Sequence, residues 1–279
     1  MKIKIWGCRG TIPSPGEHTL KYGGNTTCVE IRDEGGFRTV IDAGSGLRLL
    51  GKQIIKDKCK EICLMITHAH WDHLMGFPFF TPAYIDGFKI NLCGVAAAKD
   101  YLSKILPRQL EAPYFPVDFS QLKAEFHFCV NTPGKKLCHR LKIDSIELSH
   151  PNGGYGYKFV EDGKTFVFLT DNELSDKHSQ SKTYQQYVDF CKNSDLLLHD
   201  AQYTNEEYKK TKGWGHSTYD MAVSLAKDAN VKSLGLIHHD PDRTDEQLDK
   251  IVNELKLKLQ NDKSKLNLFA AYEQMEIQL

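Results

Sequence analysis

Six short apolar runs dominate the hydrophobic pattern of the chain: TVIDAG, ICLMITHAH, IDSIELSHP, FVFLTDN, DLLLHDAQ and LGLIHHDP. Each is a block of apolar or β-branched residues too short for a helix, which predicts a buried strand. Each then breaks into ionisable residues: Asp42, His68 to His73, His150, Asp171, His199 with Asp200, and His238 to Asp240. A strand often ends in an Asp or His turn, so one or two such endings mean little. Six of them predict an active site along one sheet edge, where the groups of α/β proteins collect beyond the carboxyl ends of strands.

Between the runs, helical spacing is visible at residues 95–106, ending before Pro107, at 218–229 and at 245–259. Ser217 and Asp220 read as a capping box opening the second of these, and Thr244 with Gln247 opens the third. Tyr157–Thr170 reads as a hairpin with Asp162-Gly163 at its turn. The N-terminal third is strand-rich and studded with glycine. Residues 77–127, with aromatic and proline-rich loops such as APYFPVDF, carry the weakest pattern. No repeat or low-complexity tract divides the chain, so residues 1–279 are expected to form a single domain of α/β class.

Composition narrows the partners. Lys and Arg total 36, as do Asp and Glu, so the formal charge is zero and offers no general attraction to nucleic acid or an anionic membrane. No apolar run approaches the roughly 20 residues of a membrane helix. MKIKIWGCRG lacks the apolar core of a signal peptide, and a cytoplasmic location is expected. The eight cysteines contain no CxxC pair and are expected to be reduced thiols, mostly buried.

The chemistry is concentrated in HAHWDH, which places three histidines and an aspartate in six positions. His68 and His70 are two apart and cannot share a helix face, but both can point from a turn leaving a strand. Imidazoles suit zinc and similar borderline ions, and carboxylates extend the range to harder ones.

This HxHxDH signature, with Asp42 before it and His150, Asp171 and His238 after it in order, resembles the metallo-β-lactamase superfamily. The resemblance implies an αββα sandwich of two facing mixed β-sheets with helices outside. It implies two divalent ions, zinc by the His-rich set, with manganese or iron left open by the carboxylates. His68, His70 and His150 would hold one ion, Asp72, His73 and His238 the other, and Asp171 would bridge them. Asp42 would orient the metal turn. His238 is preferred to His239 by its place in the motif.

His at position 70, rather than the Glu of flavodiiron relatives, points to hydrolysis. GWGHST and LLLHDAQYTNEE are similar to the corresponding stretches of ribonuclease Z and related phosphodiesterases. The resemblance implies catalytic roles for Asp72, His216 and Asp200, with Asp200 orienting His216. Ser217 as N-cap would set His216 beside a helix N-terminus favourable to phosphate. No PxKxRN-type loop and no Gly-rich basic arm is found, and the charge is balanced, so RNA is the less favoured substrate. The expected activity is hydrolysis of a small phosphodiester, of cyclic nucleotide or cyclic ribose phosphate type, by a hydroxide that two metals generate from water. A ribonuclease Z-like endoribonuclease, and a lactonase or thioesterase of the same fold, are the rivals. The resemblance admits a homodimer. Tyr114 and Phe115 offer a platform for a base or sugar, with loop anchoring as the alternative. Arg9 reads as a surface arginine, with phosphate contact as the alternative.

Overall fold

Alternation inside each apolar run decides which core a side chain enters, because successive side chains of a strand face opposite ways. In the computed structural model, which describes residues 1–94, 103–130, 136–138, 141–175, 178 and 181–279, Lys164–Leu169 and Leu196–Asp200 show this clearly. Phe166, Phe168, Leu196 and Leu198 join one central cluster, while Val167, Leu169 and Leu197 join an outer one. Both faces of these strands are therefore buried, which is why their sequences read as unbroken apolar runs.

The strands form two sheets. The first holds β1 (Lys2–Gly7), β2 (Cys28–Arg32), β3 (Arg38–Ile41), β4 (Glu61–Met65), β5 (Lys89–Gly94) and β6 (Glu125–Val130), with β14 (Glu276–Gln278) on the free edge of β1. The second runs β13-β12-β11-β10-β9-β8-β7, from Asn267–Ala270 through Ser233–Ile237, Leu196–Asp200, Lys164–Leu169, Tyr155–Glu161 and Leu141–Glu147 to Lys136–Cys138. Ile3, Ile31, Ile41 and Met65 of the first sheet meet Ile143, Tyr157, Phe159, Phe168 and Ile237 of the second in the central cluster. Helices Tyr184–Cys191, Tyr219–Asp228 and Asp245–Asn261 cover the outer face of the second sheet. Helix Leu47–Lys56 and the loops around Phe77 and Phe80 cover the first. The expected αββα layering is present.

Strand direction assembles the site. β3 and β4 pair parallel, and so do β10 and β11, and β11 and β12. β8 and β10 each pair antiparallel with β9, so they too run the same way. Within each sheet, the residues that follow these strands thus emerge at a common rim.

Several local expectations hold. Asp162 (φ 47°) and Gly163 (φ 79°) make the β9–β10 turn, both in the left-handed region that this hairpin turn requires. Thr244 caps the last helix, with Gln247 closing the box, and the helix extends to Asn261. The described cysteines are thiols outside any disulfide, Cys8, Cys28, Cys63, Cys93 and Cys191 buried, Cys59 and Cys129 partly so. No helix among the described residues is long and apolar enough to cross a membrane.

Others need correction. The helix before Pro107 falls partly outside the described residues, and its described portion, 103–108, runs through the proline. Proline removes only its own N–H, and the turn is carried on by Leu110 N–H donating to the Pro107 carbonyl at 2.9 Å. Thr218, not Ser217, caps the helix Tyr219–Asp228, its hydroxyl accepting from Met221 N–H. The Ser217 hydroxyl instead donates to the Asn172 carbonyl at 2.5 Å. Arg9 is no surface residue. It is fully buried, and its guanidinium donates to the carbonyls of Gly23, Asp240 and Arg243. A buried guanidinium needs its donors filled, and these three carbonyls lie too far along the chain for local pattern to reveal. Phe115 packs edge-on against Phe79, an anchor rather than a platform.

Candidate metal centre

Three of the rim residues stand in left-handed backbone: Asp42 (φ 64°), Asp171 (φ 54°) and His238 (φ 62°). Each ends a strand and turns its side chain sharply inward. Outside glycine, such conformations cost energy and gather at functional positions.

The side chains converge on two clusters. Ligand-capable atoms of His68, His70, His150 and Asp171 lie within 4.8 Å of one another, as do those of Asp72, His73, Asp171 and His238. Asp171 belongs to both, one oxygen to each. Its Oδ2 is 3.6 Å from His68 Nε2 and 3.7 Å from His150 Nε2. Its Oδ1 is 3.3 Å from the Nε2 atoms of His73 and His238. Asp72 Oδ2 stands 3.2 Å from His73 Nε2 and 3.1 Å from His238 Nε2. Ligands about 2.0–2.1 Å from one tetrahedral ion sit roughly 3.3 Å apart, so the spacing suits a shared cation better than direct pairing.

An unpaired atom and charge agree with that fit. The Nε2 atom of His68 is buried without a hydrogen-bond partner, a costly state that a metal bond would relieve. Burial, then the neighbouring His73, pushes His68 well below its usual range. Burial likewise pushes His150 down to about 4. Both are thus neutral, the form that ligates. His73 goes the opposite way. Burial opposes its charge, but Asp72, Asp171 and Asp42 surround it and raise it well above the usual value. A proton there answers the same concentration of negative charge that would attract a divalent ion. Asp72 and Asp171 stay ionised despite burial, held by His73 and His238.

A ring of acceptors aims the imidazoles. Asp42, fully buried, accepts from Thr67 N–H at 2.8 Å, from the Thr67 hydroxyl and from His73 Nδ1 at 2.8 Å. His150 Nδ1 donates to the Gly215 carbonyl at 2.9 Å. His238 Nδ1 pairs with Gln202 Oε1 at 3.0 Å. Each bond fixes the proton on Nδ1 and presents Nε2 to the cluster. Replacing Asp42 by alanine is expected to weaken metal affinity about 10- to 100-fold, read by competition with a chelator, and to lower the melting temperature.

His238 and His239 separate as alternation requires. His238 faces the cluster, while His239 Nε2 donates to the Ala271 carbonyl at 2.8 Å on the other side of the strand. His199, another strand-end histidine, is fully buried beside the site, with Nδ1 against the Asp200 carbonyl.

The GWGHST stretch closes the rim. His216 Nδ1 lies 2.7 Å from Asp200 Oδ2, and its ring stacks on His238 at 4.9 Å and leans on His150 at 5.2 Å. Burial opposes its charge, yet Asp200 raises its pKa to about 9. The helix terminus itself is less open to phosphate than the sequence implied. Tyr219 N–H is taken by the Tyr203 carbonyl and Met221 N–H by the Thr218 hydroxyl.

Two positioning residues escaped the sequence reading, Gln202 and Glu173. Glu173 is fully buried and accepts from Gly213 N–H at 2.7 Å, Gly215 N–H at 2.8 Å, the Tyr208 hydroxyl and His178. It thereby holds the turn whose Gly215 carbonyl aims His150. Gly215 (φ 93°) is required there, because a Cβ would overlap the His150 ring. Gly215→Ala is expected to lower metal content, by elemental analysis, with the fold retained by circular dichroism.

A model of the β-lactamase superfamily domain matches residues 38–239. The chain belongs to that superfamily. The matched span opens at β3 and ends just past His238, enclosing every residue of the two clusters. Ribonuclease Z of Thermoplasma volcanium is 25% identical over 292 residues, spanning 88% of this chain and 89% of its own. The metallo-β-lactamase fold protein YhfI of Bacillus subtilis shares the fold with a TM-score of 0.70, at 16% identity, over 99% of this chain and 98% of its own. A diphosphatase from the PhnP family does so with a TM-score of 0.68, at 16% identity, over 100% of this chain and 97% of its own. The chain carries the metallo-β-lactamase fold, and its His/Asp clusters fit a metal site.

Proposed function

We propose that this superfamily member is a metal-dependent phosphodiesterase that hydrolyses a small phosphodiester, of cyclic nucleotide or cyclic ribose phosphate type. The observation that carries the reading is the His216–Asp200 pair, buried against both ligand clusters. His68, His70 and His150 would hold one divalent ion and Asp72, His73 and His238 a second, with Asp171 serving both. The imidazole-rich set favours zinc. Such ions, when bound, activate water near neutral pH and stabilise charge on a phosphoryl group.

The chain's own residues supply the rest. Asp200 holds the proton on His216 Nδ1 and leaves Nε2 as the nitrogen free for substrate. From there it can donate to a non-bridging phosphoryl oxygen or to the departing alkoxide. Asp72, buried and fixed by Thr11 N–H at 2.9 Å, keeps its charge between His73 and His238.

The test is a panel on protein with measured metal content: bis(p-nitrophenyl) phosphate, cyclic nucleotides, a lactone and a thioester. Turnover of the phosphodiesters alone supports the reading, and turnover of only the lactone or thioester sinks it. A second reading, a ribonuclease Z-like endoribonuclease, is favoured by the relatives of that name. It predicts cleavage of a transfer-RNA precursor with steep salt dependence. The zero net charge argues for the smaller substrate.

A further inference from the structure

A cavity of about 350 Å³ lies against the metal turn, bounded by Ala69, Trp71 and Leu74 on one side and by Arg108, Gln109 and Tyr114 on the other. Ala69 and Trp71 alternate with His68, His70 and Asp72, so the backbone that presents the ligands also forms this wall. Its aromatic residues are unusually open, Trp71 at 70% and Tyr114 at 80% exposure. The Arg108 guanidinium makes no ion pair or hydrogen bond with a described residue, while its carbonyl accepts from Glu111 N–H at 3.3 Å. Both amide atoms of Gln109 are buried and lack any hydrogen-bond partner.

We infer that this cavity is a nucleobase subsite, with adenine the base that fits its chemistry best. The inference rests on the phosphodiesterase reading only for the remainder of the substrate. Three features converge on it. Aromatic side chains are stacking surfaces for the flat faces of bases. The Gln109 amide lines the cavity but is shielded from solvent; turned into the cavity by a side-chain rotation, it offers a donor and an acceptor side by side, which match the amino group and ring nitrogen of adenine. A hydrocarbon occupant would leave that amide unsatisfied, at the usual cost of a buried polar group. Arg108 adds an unpaired positive charge, complementary to the phosphate attached to such a base. Trp71 lies between His70 and Asp72 in the chain, so a base stacked on it would sit beside the turn that carries those two ligands.

The experiment is calorimetric titration of the metal-loaded protein with adenosine, which carries no phosphate, against ribose as control. Adenosine binding with ribose silent is the expected result. Trp71→Ala is expected to weaken adenosine roughly 5- to 100-fold. Gln109→Leu is expected to weaken it about tenfold while leaving the melting temperature equal or higher, because an orphaned amide has been removed. A purely structural Gln109 would lose stability and keep adenosine. Equal response to adenosine and ribose, no response to either, or unchanged adenosine affinity in both variants overturns the subsite. Bis(p-nitrophenyl) phosphate hydrolysis by the wild type is measured in parallel. Hydrolysis without adenosine binding removes the subsite and leaves the phosphodiesterase. Adenosine binding without any phosphodiester hydrolysis does the reverse.

Discussion

Asp171→Ala is expected to cut turnover roughly 1,000-fold or more and, on the proposed two-ion reading, to lower the bound metal from two ions per chain to one or none. No other described side chain belongs to both clusters. Oδ1 lies 3.3 Å from His73 and His238, while Oδ2 lies 3.6 Å from His68 and 3.7 Å from His150. Without it, the five imidazoles of the two clusters are left with Asp72 and the more distant Asp42 to balance a cation. Asp171→Asn keeps the shape and removes the charge, so it separates the two contributions: it should lose metal nearly as completely as the alanine variant. Elemental analysis of dialysed protein reads the metal, and phosphodiester turnover reads the consequence. An Asp171→Ala protein that holds two ions at full activity would falsify the shared-carboxylate scheme.

His216→Ala should lower kcat about 100- to 10,000-fold with metal content unchanged, which distinguishes it from every substitution in the clusters. The size of the loss should depend on the leaving group. A p-nitrophenolate departs without a proton, whereas an alkoxide needs one. If His216 Nε2 protonates the departing oxygen, the variant loses far more on an alkyl phosphodiester than on bis(p-nitrophenyl) phosphate. If it only stabilises charge on a non-bridging oxygen, the two losses are equal. Asp200→Asn should reproduce part of either pattern, because the 2.7 Å bond to Nδ1 orients the ring and supports its proton. Unchanged kcat on both substrates in His216→Ala would remove this residue from the mechanism.

Much of the centre was legible before any coordinate. A strand buried on both faces must be apolar along its length, so polarity can begin only where the strand ends, and a run such as FVFLTDN marks its own exit point. Ligand types are visible for a related reason, since three histidines and an aspartate within a turn are hard to accommodate unless something binds them. Helix starts fared less well. Ser217 and Thr218 are adjacent and either is a good cap. The choice was made by the carbonyl of Asn172, from a loop 45 residues away, which engages the Ser217 hydroxyl.

The positioning residues were hidden by the same distance. Glu173 sits two residues past a ligand and resembles any polar turn residue until its contacts with Gly213 and Gly215, about 40 residues on, are seen. Gln202 lies 36 residues from the His238 it aims. Arg9 reaches carbonyls 231 and 234 residues away, so it reads as a surface charge and proves to be a buried clamp.

The sequence by itself determined the strand-end placement of the ionisable groups, the kinds of ligand they offer and their order along the chain. These are local properties, imposed by the period of the strand and the chemistry of each side chain. Tertiary structure alone decided which oxygen of Asp171 faces which cluster, which member of the His238-His239 pair turns inward, and that His216 rests on Asp200. It also decided that Trp71, Gln109 and Tyr114 share a wall. Those are facts of angle and separation between segments distant in the chain, and only the packing of the two sheets sets them.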